Sequence, residues 1–275
     1  MNKKNNPIGI FDSGVGGLTV MKDIIHRLPS YDYLYLGDSA RTPYGNRSFE
    51  SIYQFTLQCV EYLFSQGCHL IILACNTASA KALRTVQQRD LPRIAPNKRV
   101  LGVIRPTAEV IGLHSKTGHV GVLGTTGTVQ SGSYEIEIKH QFPKLTVYQQ
   151  ACPMWVPLVE NNEHNNPGAD YFVKKYLDQL LQQSPDIDTL LLACTHYPLL
   201  IPKIRNVLSE DISVISQGPI VAASLQDYLK RHPEIEKNCS ENGTRRFLTT
   251  DAPEQFDHHA TTFFGQEVTS EFIDV

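Results

Sequence analysis

The stretch His69-Leu70-Ile71-Ile72-Leu73-Ala74-Cys75-Asn76-Thr77-Ala78 is an apolar run that ends in a cysteine, two polar residues and a helix-like segment. A near copy, Thr189-Leu190-Leu191-Leu192-Ala193-Cys194-Thr195-His196-Tyr197, lies 119 residues further on. Outward from these two stretches, short apolar strands alternate with helix-length segments. Strands are expected at 8–11, 33–36, 70–74, 100–103, 120–124, 145–149, 190–193 and 212–215. Helices are expected at 18–27, 49–66, 79–89, 106–114, 129–140, 170–182 and 201–208. Alternation of this kind predicts α/β layers with largely parallel sheets, whose ligands bind beyond the carboxyl ends of the strands.

The loops at those ends form a loose repeat. Each half opens with a Gly-containing loop, Asp12-Ser13-Gly14-Val15-Gly16-Gly17 or Gly124-Thr125-Thr126-Gly127-Thr128, and closes on a Cys-polar loop. Two similar three-layer α/β domains follow. The first spans 1–98 plus 209–275 and carries Asp12 and Cys75. The second spans 99–208 and carries Glu160, Cys194 and His196. The crossover is placed in the Pro/Asn/Lys-rich stretch 92–98, and the tail is long enough to rejoin the first domain.

Composition narrows the function. The chain has 275 residues, 41% hydrophobic and 19% charged, with a net charge of −3. That suits a globular protein, and no basic stripe is available to neutralise a phosphate backbone, so nucleic acid is not an expected partner. No apolar run approaches the ~18 residues of a membrane span. Lys3 and Lys4 are followed by too short an apolar stretch for a secretory signal. The six cysteines show no CxxC and no zinc-site spacing. The expectation is a reduced cytoplasmic protein with free thiols and no metal.

Gly14-Val15-Gly16-Gly17-Leu18-Thr19 lacks the third glycine of a dinucleotide fingerprint and the Lys-Ser/Thr of a P-loop, so its glycines read as a tight turn. Asp12 and Ser13 are the stronger functional candidates, although an Asp there also suits a helix cap. Cys59, Cys68, Cys152 and Cys239 read as small core residues. Cys75 and Cys194 stand in matched loops, each followed by hydrogen-bonding residues. They can be acid/base thiols, a redox disulfide or half of a metal site. A reduced compartment disfavours the disulfide, and the absence of further matched ligands disfavours the metal. A thiol titrates near ~8.5, within reach of neutrality when a helix start or a cation lies close. His196, two residues past Cys194, suits general acid/base work. Glu160 reads equally as a solvated helix end.

Taken together, IGIFDSGVGGLTV, GDSARTPYG, LACNTASA, GVLGTTGTVQSGSY and LLACTHYPLL resemble bacterial glutamate racemase, in family order and over roughly residues 8–265. The resemblance implies a cofactor-independent enzyme that interconverts L- and D-glutamate, a peptidoglycan building block. It implies catalytic thiols at Cys75 and Cys194, assisted by Asp12, His196 and Glu160. Substrate would be bound by Asp12, Ser13, Tyr44, Gly45, Asn76, Thr77, Thr195 and His196. The family fold implies an active site in the cleft between the domains, often in a homodimer. Arg105 and Gln217 depart from the family pattern, an acidic residue being usual near the latter. The near alternative is an aspartate or other amino-acid racemase of the same superfamily. The far one is a non-enzymatic thiol redox or binding protein.

Overall fold

The computed structural model describes residues 6–275; Lys3 and Lys4 lie outside them. Ten strands run in chain order: β1 Ile8–Asp12, β2 Tyr33–Gly37, β3 Leu70–Leu73, β4 Arg99–Gly102, β5 His119–Gly124, β6 Thr146–Ala151, β7 Thr189–Ala193, β8 Ser213–Ile215, β9 Arg245–Thr249 and β10 Ser270–Phe272. They form two parallel sheets, one ordered β10-β9-β2-β1-β3-β4 and the other β6-β5-β7-β8. The α/β architecture expected from the alternation of apolar strands and helices is present in both. Apolar continuity tracks position in the sheet. The central β1, β2, β3 and β7 are buried along their whole length, whereas the edge strands β6 and β8 are half-exposed. A parallel strand covered by helices on both faces needs side chains that can be dry on both faces.

The chain divides into two compact units, residues 6–103 with 218–275 and residues 104–217. The boundaries fall later than the expected 98/99 and 208/209. Val100 and its neighbours in β4 pair with β3, which keeps them in the first unit, and β8 pairs with β7, which keeps residues up to 217 in the second. In the first unit, the helix Phe49–Ser65 buries Ile52, Val60 and Leu63 in one core cluster with Phe11, Leu34, Ile71 and Leu73. Each such side chain contributes roughly 1.5–3 kcal/mol on burial. The tail adds β9, β10 and the helices Gly218–Arg231 and Pro253–Phe264 to this unit.

Two helices depart from expectation. The segment expected at 79–89 starts directly after Cys75 as Asn76–Lys81 and continues as Leu83–Thr85, a five-residue π turn Val86–Asp90 and Leu91–Ile94. The helix expected at 129–140 is two, Thr126–Gln130 and Ser133–Gln141, separated at Gly132, whose φ of 65° is left-handed.

Both sheets reverse direction beside their first strand. In the first, the chain passes from β1 to β2 on one side and returns to β3 on the other; in the second it passes from β5 to β6 and returns to β7. The carboxyl ends of β1 and β3, and of β5 and β7, are therefore switch points, where α/β sheets open a crevice for ligands.

Candidate active site

Each switch point carries one of the paired cysteines, in equivalent register. Leu73 pairs with Phe11 and Leu192 with Leu123, and in both cases the cysteine follows the leucine by two residues. By the same register Asn76 corresponds to Thr195, Thr77 to His196, and Asp12 to Gly124. The thiols are thus equivalent in position, and their surroundings are not.

In the first unit Cys75 caps the helix Asn76–Lys81, its Sγ accepting from the Ala78 amide at 3.5 Å. The thiol donates to Ser13 Oγ at 3.5 Å. Asp12 ends β1, fully buried, and its Oδ2 accepts from the Gly14 amide at 3.1 Å. Asn76 and Thr77 are buried in the first turn after the cysteine. The structure therefore gathers Asp12, Ser13, Cys75, Asn76 and Thr77 at the ends of two adjacent strands.

Tyr44 and Gly45 belong to the stretch after β2. The buried Tyr44 phenol donates to the Asp38 carboxylate, and its ring lies 6.3 Å from that of Phe11. Burial and the Asp38 charge push the phenol pKa far up, so it stays a donor. Asp38 also takes both contacts of Arg41 Nε, at 2.9 and 2.7 Å, and accepts from Thr250 Oγ1 at 2.9 Å. The Tyr44 proton is committed to this hub. Asp38 and Arg41 were not singled out from sequence, although both stand in the GDSARTPYG loop.

In the second unit a relay runs from sulfur to carboxylate. Cys194 Sγ lies 3.9 Å from His196 Nδ1, and His196 Nε2 lies 3.1 Å from Glu160 Oε1. Thr195 Oγ1 is 3.4 Å from the same Nδ1. Glu160 ends the helix Trp155–Glu160, and its side chain is partly exposed while that of His196 is buried. Burial alone would depress the imidazolium. Its contacts with Cys194 and Glu160 outweigh burial and raise its pKa to about 10. Trp155, at the start of the Glu160 helix, packs edge-on against Tyr197 at 4.8 Å, and Tyr197 donates to the Cys152 carbonyl at 3.3 Å. Those contacts fix the Glu160 helix against the turn that carries His196.

The loop after β5 stands at the same switch point. Thr125 caps the helix Thr126–Gln130 by accepting from the Thr128 amide at 3.2 Å, and the two hydroxyls are 3.1 Å apart. Nothing in the spacing of these threonines points to Cys194; the pairing of β5 with β7 is what sets them at the same end of the sheet.

The other four thiols are buried, and burial pushes each of them up, Cys68 and Cys239 to about 12. They remain protonated core groups, as expected. Of the two unusual positions, Arg105 makes an exposed bridge to Glu109 at 3.1 Å. Gln217 is buried and donates to Thr107 Oγ1 at 3.1 Å and to Tyr134 Oη at 2.6 Å. Both arrangements lie in the second unit, and the phenol pKa of Tyr134, which accepts from Gln217, is raised first by burial and then further by the charge of the nearby Cys194 thiol. Among the described residues no helix is long and apolar enough to cross a membrane.

Comparison with known proteins agrees with this architecture. A glutamate racemase from Persephonella marina is 41% identical over 271 residues, covering 98% of this chain and 97% of its own. The crystal structure of a glutamate racemase isoform from Bacillus anthracis superposes with a TM-score of 0.90 at 36% identity, covering 99% of this chain and 98% of that one. That of a glutamate racemase from Francisella tularensis in complex with D-glutamate gives 0.87 at 32% identity, covering 98% of each chain. The family model for Asp/Glu/Hydantoin racemase matches residues 8–225, and the chain belongs to that family.

Proposed function

We propose that this racemase interconverts L- and D-glutamate by a two-base mechanism without a cofactor, with Cys75 and Cys194 acting on opposite faces of the same α-carbon. The observation that carries the reading is the register: two thiols at equivalent positions after β3 and β7, each at the switch point of its own sheet. The substrate is inferred from relatives near 40% identity that bear the name glutamate racemase.

An α-hydrogen is a weak acid, so a base alone is insufficient. One thiolate removes it while the opposite thiol delivers a proton to the other face, and the roles exchange with direction. Asp12 serves the Cys75 side. His196, oriented by Glu160, serves the Cys194 side, where an imidazolium stabilises the thiolate. Charge that develops toward the α-carboxylate is met by hydrogen-bond donors already in place, among them Ser13, Asn76, Thr77 and Thr195 with the amides of the Asp12–Gly17 turn. Tyr44 shapes the loop that presents Gly45. D-glutamate would supply peptidoglycan synthesis, in the cytoplasm, from a homodimer.

Circular dichroism of enantiomerically pure glutamate and aspartate tests the substrate. Loss of ellipticity with glutamate and none with aspartate is expected. Faster loss with aspartate would replace the assignment with aspartate racemase. A ligand-bound but optically stable mixture would point to a non-enzymatic thiol protein.

A further inference from the structure

Strand β2 carries two buried tyrosines on one face, Tyr33 and Tyr35, and both phenols donate to a main-chain carbonyl. Tyr33 Oη reaches Leu28 O at 2.7 Å, at the amino end of the strand. Tyr35 Oη reaches Gly14 O at 2.8 Å, inside the turn that follows Asp12. The two bonds are chemically alike and differ in what they hold.

We propose that Tyr35 is a positioning residue for the Cys75 half-site, its phenol holding the Asp12–Gly17 turn in the shape that sets Ser13 against the Cys75 thiol. The inference rests on the racemase reading of that site. Three observations carry it. Gly14 is gripped at both of its backbone groups, its amide by Asp12 Oδ2 at 3.1 Å and its carbonyl by Tyr35. The phenol oxygen also lies against Gly17, where a methyl would meet it at 3.0 Å, so one side chain borders the turn at both ends. The Cys75 thiol donates to Ser13, the residue directly before the gripped Gly14. Burial first, then the Asp12 and Cys75 charges, keep the phenol proton on, so Tyr35 remains a donor whatever the state of the thiol. Gly37 leaves room for the same carbonyl: a methyl there would meet Gly14 O at 2.5 Å.

The test compares Tyr35→Phe with Tyr33→Phe in the full chain. Iodoacetamide modification rates at Cys75 and Cys194 are read by mass spectrometry across pH, beside kcat and KM for glutamate. Tyr35→Phe is expected to slow modification of Cys75 and lower kcat about tenfold, because a displaced turn misplaces the reacting groups. The Cys194 rate stays within about twofold, as do both rates in Tyr33→Phe, whose lost bond is remote. Gly37→Ala, whose methyl meets Gly14 O at 2.5 Å and Phe256 Cε2 at 2.7 Å, presses on the same carbonyl with the phenol retained; it is expected to reproduce the selective loss and decides the matter if Tyr35→Phe melts below the assay temperature. Equal behaviour of the two tyrosine variants, equal slowing at both cysteines, or an unchanged Cys75 rate overturns the proposal. If the wild-type chain racemises no glutamate, the substrate assignment fails, while the modification rates still decide the role of Tyr35.

Discussion

The Cys75 half and the Cys194 half share a strand register and diverge in what stands beside the sulfur. At Cys75 the neighbours are a hydroxyl at 3.5 Å and a carboxylate buried at the end of the next strand. At Cys194 they are an imidazole at 3.9 Å backed by a carboxylate at 3.1 Å. Register makes Gly124 the counterpart of Asp12, so the second half has no acid at that position and has one beside His196 from a different loop. A repeated frame fixes where each thiol lies in its sheet, and unrelated side chains surround each of them. The halves are pseudo-symmetric, with a hydroxyl and a buried carboxylate gathered on one side and a histidine–carboxylate relay on the other.

The frame is broken most severely by removing a thiol. Cys75→Ser and Cys194→Ser are each expected to lower kcat by a factor of about 10³ or more, since each removes an acid/base group outright. Cys68→Ala, in the core, should leave turnover within about twofold. Full activity after loss of either paired thiol would end the two-base account. The difference between the halves is sharpened by the assistants. L- and D-glutamate have equal free energies in water, so kcat/KM is equal in both directions for any variant. Unequal halves must show in kcat and KM separately and in the primary isotope effects. Asp12→Asn and His196→Asn should each lower kcat by about 10²–10⁴-fold. Each should raise the α-deuterium isotope effect in a different direction of reaction. Identical isotope patterns would show that the assistants are not tied to separate thiols.

The relay has its own pH signature. Burial depresses the His196 imidazolium and the contacts with Cys194 and Glu160 outweigh it, giving a raised folded pKa of about 10. Its stabilising contribution is therefore fully present below the unfolded value of ~6.5 and is lost as pH rises toward 10. Glu160→Gln removes one of the two contacts, so the alkaline loss of racemisation should begin at lower pH, with kcat down about tenfold. An unmoved alkaline limb would show that Glu160 does not act through the histidine.

The smallest effect on turnover is expected at Asp32, beside the amino ends of β1 and β2 and opposite the end that carries Cys75. Burial would raise its carboxyl, but hydrogen bonds from Ser240, Thr244 and Asn242 outweigh that and hold it at about 2. The resulting stability is present above the unfolded value of ~3.9 and is lost as pH falls through about 2. Asp32→Asn should destabilise the protein at neutral pH by about 1–3 kcal/mol, with the difference shrinking in acid and kcat unchanged. Denaturant melts at several pH values read this directly.

What was legible in the chain follows from locality. The central strands announce themselves because both faces must be apolar, and the two cysteine segments are recognisable because the residues around each thiol are contiguous. The tail was not legible in detail. β9 opens with the exposed Arg245 and Arg246, and β10 is an edge strand of three residues with Glu271 and Phe272 exposed, so neither presents an apolar run. The Asp38 hub depends on Thr250, 212 residues away, and the Tyr35 contact on a turn in the preceding strand's loop. Only the sheet order brings such pairs together. The break at Gly132 was hidden because the residues on both sides of it are helix-compatible.

Action of two thiols on one carbon is read most directly by racemising protiated L-glutamate in deuterium oxide and following Cα by NMR at early turnover. D-glutamate is expected to carry deuterium at Cα while the remaining L-glutamate stays protiated, because the group that delivers the new proton is not the one that removed the old. D-glutamate formed with its original hydrogen, or deuterium entering the remaining L-glutamate as fast as the product, would contradict action by two thiols.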